Sequence, residues 1–120
     1  MVCYYGTWAV YRPGNGKFDV ENIDPFLCTH IIYGFTGLGS DNTIIPLDPW
    51  NDLYDNYGKG AFLRFTGLKR QNPSLKALVA IGGWNEGSTK YSQVRVVIVN
   101  IKNLLLKYLL CISFFYSDGL

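Results

Sequence analysis

An apolar run that stops abruptly at two glycines restricts the fold of this chain more than any other stretch. Leu78, Val79, Ala80 and Ile81 follow one another without a polar break and lead straight into Gly82, Gly83, Trp84 and Asn85. The segment is too short for an ordinary helix, so it predicts a strand buried on both faces, as in a parallel sheet. Such a strand needs helices outside it. The glycines free the backbone at its carboxyl end, where a side chain would crowd a turn or an approaching ligand. Trp84 then stands at the mouth. An indole there can act as a sugar platform, because the apolar face of a pyranose covers an aromatic ring while its hydroxyls stay in water. The alternative is a core tryptophan beside a tight turn.

Two earlier stretches also read as strands. Residues 2–5, VCYY, are an aromatic and β-branched run closed by Gly6, and residues 30–35, HIIYGF, are a second run with a glycine-rich exit through Gly34, Gly37 and Gly39. Between them, residues 7–17 read as a loop from the turn chemistry of Arg12, Pro13, Gly14, Asn15 and Gly16, with Trp8 at its opening. Residues 18–27 predict at most a turn or two of helix, broken near Pro25. Residues 41–50 are expected to be an irregular loop punctuated by Pro46 and Pro49. Residues 51–72 are the best helical candidate, at least in their second half, where Phe62, Phe65 and Leu68 recur at three-residue spacing and Arg64, Lys69 and Arg70 turn outward. Pro73 stops the helix. Strand, connection, strand, helix, strand is the order of parallel βα units, so the class is α/β, a barrel or an open sheet with its site at the carboxyl ends of the strands.

Composition narrows the partners. A chain of 120 residues, 48% hydrophobic and 17% charged, is ordinary for one globular domain and too apolar for a disordered one. Its net charge is +2 and its basic residues form no stripe, which argues against nucleic acid. Aromatic residues reach 16%, compatible with a carbohydrate groove or with a tyrosine-rich surface. Cys3, Cys28 and Cys111 are odd in number, so at least one is unpaired or pairs between chains. Cys3 and Cys28 lie on successive strand candidates, where a bridge is sterically possible; in a reducing cytosol both would be buried thiols. Only Met1 and Val2 precede Cys3, so no secretory leader is read within these residues.

Three motifs then combine. Cys3, Tyr4 and Tyr5 with Trp8, the run from Leu27 and Cys28 through Tyr33, Gly34 and Phe35, and Ala80-Ile81-Gly82-Gly83-Trp84-Asn85 closely resemble, in order and spacing, the first three strands of family 18 glycoside hydrolases, the chitinases and chitinase-like lectins. The resemblance spans residues 2–93, and residues 62–74, FLRFTGLKRQNPS, look like the family's helix before its third strand. It implies an α/β fold, the N-terminal portion of a (β/α)8 barrel, incomplete here at about three βα units, in a secreted protein whose aromatic cleft takes chitin or chito-oligosaccharides. It also implies a disulfide between Cys3 and Cys28, leaving Cys111 as the odd cysteine. The matched cleft positions are Tyr4 and Phe35, near the sugar whose bond is cleaved, and Trp8 and Trp84, stacking on sugars further along, with Asn85 beside the latter. Ala80 stands where many members have serine. No cofactor or metal is implied.

The catalytic motif is a separate matter. In the family's hydrolases an Asp-Gly-x-Asp-x-Asp-x-Glu motif on the fourth strand supplies the acid: the Glu protonates the glycosidic oxygen, the substrate's N-acetyl carbonyl is the nucleophile, and an Asp steadies the acetamido group. Residues 1–120 hold no complete copy of it. Asp118 and Gly119 match its first two letters, at about the family's distance from Trp84, and no further acid follows. Glu21, Asp48, Asp52 and Glu86 lack the motif's spacing and are expected to be solvated surface acids. Residues 94–120 depart from the family as an apolar tail whose one acid is Asp118. Asn100, Asn103 and Lys107 make a narrow polar stripe at helical spacing, which predicts a mostly buried helix. A membrane span is not expected, because Lys102, Asn103 and Lys107 interrupt the ~20 apolar residues it would need. The tail also reads as translated intron, since Val94 and Arg95 can be encoded by a splice-donor-like GTA-AGA. The chain thus divides at residue 93. A closed barrel takes ~250 residues, so three strands with at most a poor fourth are expected, with an open edge and marginal stability. The parent is expected to be a chitinase acting on β-1,4-linked N-acetylglucosamine polymers, and this chain by itself to be inactive. A chitin-binding lectin, or a truncated product without activity, is the alternative.

Overall fold

The computed structural model describes residues 1–41 and 43–87, and the backbone of residues 112–116. Five strands are found among them: β1 Val2–Gly6, β2 His30–Leu38, β3 Ile44–Pro46, β4 Lys76–Ile81 and β5 Ile112–Tyr116. β1, β2, β4 and β5 lie side by side in that order, all parallel, and β3 pairs antiparallel with the end of β2. Parallel neighbours require crossovers, and the long connections between β1, β2 and β4 provide them.

Register explains the layers. Tyr5, Tyr33 and Val79 stand abreast, and one residue earlier Tyr4, Ile32 and Leu78 do the same, so alternation sends the two sets to opposite faces of the sheet. On the first face Tyr5, Ile31, Tyr33, Ala77 and Val79 pack with Phe62, Phe65 and Leu68. Tyr33 meets Phe65 edge to face at 5.2 Å between centroids, and Tyr5 stacks on Phe65 at 5.9 Å. On the other face Ile32, Leu78 and Ala80 form a smaller core with Phe35 against it. Ala77 through Ala80 are all buried, as a strand covered on both faces requires.

The helix over the first face is α2, Ala61–Gly67, extended by a 3-10 turn at Leu68–Arg70. The three-residue apolar spacing therefore marks a helix, but one that starts ten residues later than residue 51. Upstream of it stand one α-helical turn, α1, Pro49–Asp52, with Pro49 at its start and the Asp48 carboxylate accepting from Asn51 N at 3.1 Å, and a 3-10 turn at Asp55–Tyr57. The chain then bends through Asn56 and Tyr57, both at positive φ, which ends any continuous helix.

Residues 41–50 are not the irregular loop their prolines suggest. Asp41 Oδ1 accepts from the backbone N and the hydroxyl of Thr43, at 3.2 and 2.7 Å, and Gly39 N donates to Thr43 O at 2.8 Å. That side-chain turn reverses the chain so that β3 can lie on Thr36, Gly37 and Leu38. β2 is correspondingly longer than the six residues its apolar run shows.

Several charged residues also depart from expectation. Arg64 does not simply face solvent: its guanidinium meets Asp19 at 3.1 Å and Glu21 at 2.6 Å, tying the 3-10 turn Val20–Asn22 to α2. Glu21 is thus exposed but paired. Asp48 caps α1 and also accepts from the Tyr11 hydroxyl. Asp52 is buried, because Tyr33 donates its hydroxyl to it from the core. Cys3 and Cys28 are joined in a disulfide, their Cα atoms 6.2 Å apart. Cys111, Asp118 and the helical stripe of Asn100, Asn103 and Lys107 lie outside the described residues, whereas residues 112–116 of the tail form β5, the fourth parallel strand. Among the described residues no helix is long and apolar enough to cross a membrane. The whole is a partial parallel sheet with helical connections, an incomplete α/β barrel.

Candidate functional site

The carboxyl ends of β1, β2 and β4 converge on one edge of the sheet, where sites of parallel α/β folds lie. β1 contributes Tyr4 and Trp8. Tyr4 stands on the face shared with Ile32 and Leu78 and is 57% exposed; a Cβ on Gly34 would lie 3.8 Å from its ring. Trp8 sits in the 3-10 turn Thr7–Tyr11 that begins directly after Gly6. Its indole lies over the backbone at Gly6, where a Cβ would come within 2.8 Å of the ring, so only glycine leaves room for that pose.

β2 contributes Phe35 by means of an irregularity. Gly34 is opposite Ala80 and Thr36 is opposite Ile81, which leaves Phe35 as an extra residue in the ladder. A bulge of this kind re-aims one side chain. Phe35 follows a cis peptide bond and lies parallel to Trp8, with ring centroids 6.1 Å apart and planes at 7°. Behind it is the backbone of Gly83, where a Cβ would stand 3.1 Å from the Phe35 ring.

β4 contributes the turn. Gly82 and Gly83 have φ of 114° and 106°, a region that side chains other than glycine's rarely allow. Gly82 N donates to Thr36 O at 2.8 Å and the Thr36 hydroxyl donates to Ala80 O at 3.2 Å, so the ends of β2 and β4 are stitched together. The 3-10 turn Trp84–Glu86 follows, closed by Glu86 N to Gly83 O at 3.1 Å. Trp84 is 99% exposed, which removes the reading of it as a core tryptophan, and Asn85 beside it is exposed too. Glu86, expected as a solvated acid, is half-buried against β2 and accepts from Leu38 N at 3.4 Å. Catalytic spacing does not report this seat; the position of Glu86 directly after the Trp-Asn pair and before Gly87 is the available signal.

Around this edge the titratable groups serve structure. The Tyr33 and Tyr5 hydroxyls are shifted upward, mainly by burial, and the Asp52 carboxyl is raised by burial against the opposing pull of its hydrogen bonds. Tyr11, bonded to Asp48, is pushed up to about 12. Trp8, Phe35 and Trp84 offer aromatic rings, and Asn85 offers an amide; that combination suits a neutral ring with apolar faces and a hydroxylated rim. Among the described residues no group of three or more His, Cys, Asp or Glu side chains is placed to hold a metal ion. Thus Trp8 and Phe35 are brought into contact, Tyr4 and the Trp84 turn flank them on neighbouring strand ends, and Asp118 falls outside the described residues.

Known proteins share the fold. The family model for Glycosyl hydrolases family 18 matches residues 1–105. Probable chitinase 2 of Drosophila melanogaster is 57% identical over 93 residues, which are 77% of this chain and 19% of that protein. The crystal structure of Ostrinia furnacalis Group IV chitinase superposes with a TM-score of 0.78 at 49% identity, covering 89% of this chain and 30% of that one. Human YKL-39, described as a pseudo-chitinase with retained chitooligosaccharide binding properties, superposes with a TM-score of 0.76 at 33% identity, covering 97% of this chain and 31% of that one. The chain therefore spans about a fifth of the curated relative and under a third of the solved chains it matches. With most of its length matched by the family model and its strands superposed on those of solved chitinases, the chain belongs to glycosyl hydrolases family 18.

Proposed function

We propose that these residues form part of a cleft that binds chitin or chito-oligosaccharides, with Trp8 and Trp84 as sugar platforms, Tyr4 and Phe35 beside the sugar at the centre, and Asn85 bonding near Trp84. The observation that carries this is the exposure of Trp84: a large indole, 99% in solvent, held on a short turn at a strand end, does no packing among the described residues. The substrate class is supported by the relatives. Ostrinia furnacalis Group IV chitinase is solved in complex with allosamidin, and the second catalytic domain of its Group II chitinase in complex with (NAG)5.

The whole protein's activity in this reading is hydrolysis of β-1,4-linked N-acetylglucosamine polymers by the substrate-assisted, retaining route. Its acid is a glutamate that residues 1–120 do not supply at the motif's spacing. Residues 1–120 alone are then a binding unit without turnover. The second reading, a non-catalytic chitin-binding lectin, is favoured by the likeness to the pseudo-chitinase YKL-39. The Cys3–Cys28 disulfide favours an oxidising compartment and so an extracellular protein. The division after residue 93 belongs to the same proposal, and the spliced transcript is its test: a message that leaves the tail there is expected, and one that reads through the tail into a complete acidic motif overturns it.

The binding test uses the full chain and chitin beads. Trp8→Ala with Trp84→Ala is expected to lower retention about tenfold, roughly the loss of one to two aromatic contacts. Unchanged retention would overturn the platform assignment. No turnover of a chito-oligosaccharide by the purified chain is expected, and measurable turnover would show that the acid lies within these residues.

A further inference from the structure

At the carboxyl edge of the sheet β2 outruns β4. The contact between them closes where Gly82 N donates to Thr36 O, and β2 continues through Gly37 and Leu38. Successive residues of a strand direct their N–H groups to opposite edges. Gly39 N donates to Thr43 O on the β3 side, so Leu38 N faces the side where β4 has already ended. Glu86 meets it there. Its Oε2 accepts from Leu38 N at 3.4 Å, and its carboxylate lies over Gly37, where a Cβ would stand 3.3 Å from Cδ. Glu86 is also the last residue of the turn that carries Trp84 and Asn85. That turn hangs between Gly83 at φ 106° and Gly87 at φ 65°, residues with wide backbone freedom, and an indole 99% exposed adds almost no packing to hold it.

We propose that Glu86 is a positioning residue: its carboxylate straps the Trp84–Glu86 turn to the end of β2 at Leu38 and so fixes where Trp84 and Asn85 stand at the mouth. The proposal rests on the reading of Trp84 as a sugar platform and adds the group that aims it. A carboxylate accepting a backbone N–H makes a charge-assisted bond, stronger than a neutral one. Without it the turn samples many directions, and the fraction that presents the indole correctly scales the apparent affinity.

The test compares the full chain with Glu86→Ala, Glu86→Gln and Trp84→Ala by amide hydrogen exchange and by affinity for a chito-oligosaccharide of five sugars. In Glu86→Ala, exchange at Leu38 and in residues 84–87 is expected to quicken while β1 and the body of β4 stay as in the parent chain, and affinity is expected to fall about tenfold, the loss of one bond to a charged group. Glu86→Gln keeps an acceptor oxygen and should restore most of both. If Trp84→Ala leaves binding intact, the platform reading fails while faster exchange in Glu86→Ala still upholds the strap. Unchanged exchange at Leu38, or exchange raised equally everywhere, overturns the strap. So does a Glu86→Ala chain that binds like the parent when Trp84→Ala does not.

Discussion

Asp52 is 2% exposed, accepts the Tyr33 hydroxyl on one oxygen and takes Asp48 N at 3.3 Å on the other. Burial raises its carboxyl above the ordinary value of about 3.9, so the folded chain holds this proton more tightly than the unfolded one does. The sign follows from linkage: the contribution of Asp52 to stability is fully present below about pH 3.9 and is lost as pH rises through the raised folded value. Asp52→Asn cannot titrate. The stability of Asp52→Asn minus that of the parent chain, from urea unfolding, is therefore expected to grow upward from about pH 4 and then level off. A difference independent of pH would mean that Asp52 titrates alike in both states. Residues were unequally legible for the same reason. Trp84 could be placed because its neighbours Gly82, Gly83 and Asn85 form a local pattern, whereas the burial of Asp52 depends on Tyr33, nineteen positions away, and no local spacing reports it.

At the scale of elements, what the sequence announces depends on whether the signal is local. The continuous run of β4 showed both its type and its two covered faces, and the spacing of Phe62, Phe65 and Leu68 showed α2. β3 and the extension of β2 were not visible, since three residues ending in a proline become a strand only through pairing with Thr36, Gly37 and Leu38. The helical start at residue 51 failed because Asn56 and Tyr57 adopt positive φ, which their side chains do not advertise. Cys3 and Cys28 join β1 to the segment entering β2, closing a loop with a sequence separation of 25. In a chain-entropy account such a loop contributes about 3 kcal/mol by restricting the unfolded chain. Cys3→Ala with Cys28→Ala is expected to lower the unfolding free energy measured in urea by that amount, and an unchanged free energy would contradict the account.

For the whole molecule, the crossovers from β1 to β2 and from β2 to β4 bring the strand ends of β1, β2 and β4 to one edge, and that edge carries the residues proposed to line the cleft. The incomplete α/β barrel and the family were legible because three motifs at three strand ends had to agree in order and spacing; the stitching of β2 to β4 and the seat of Glu86 were not, because each depends on backbone groups of a distant strand. The central claim is that Trp8 and Trp84 are the sugar platforms of this edge. It is tested most directly by titrating a chito-oligosaccharide into the chain and following the indole N–H signals of Trp8, Trp50 and Trp84 by NMR. Trp50 serves as the internal control, since it is half exposed but its ring is covered by the Lys59 ammonium at 4.7 Å. The account predicts that Trp8 and Trp84 shift with saturation while Trp50 stays in place. A saturable shift of Trp50 alone, or of none of the three, would contradict it.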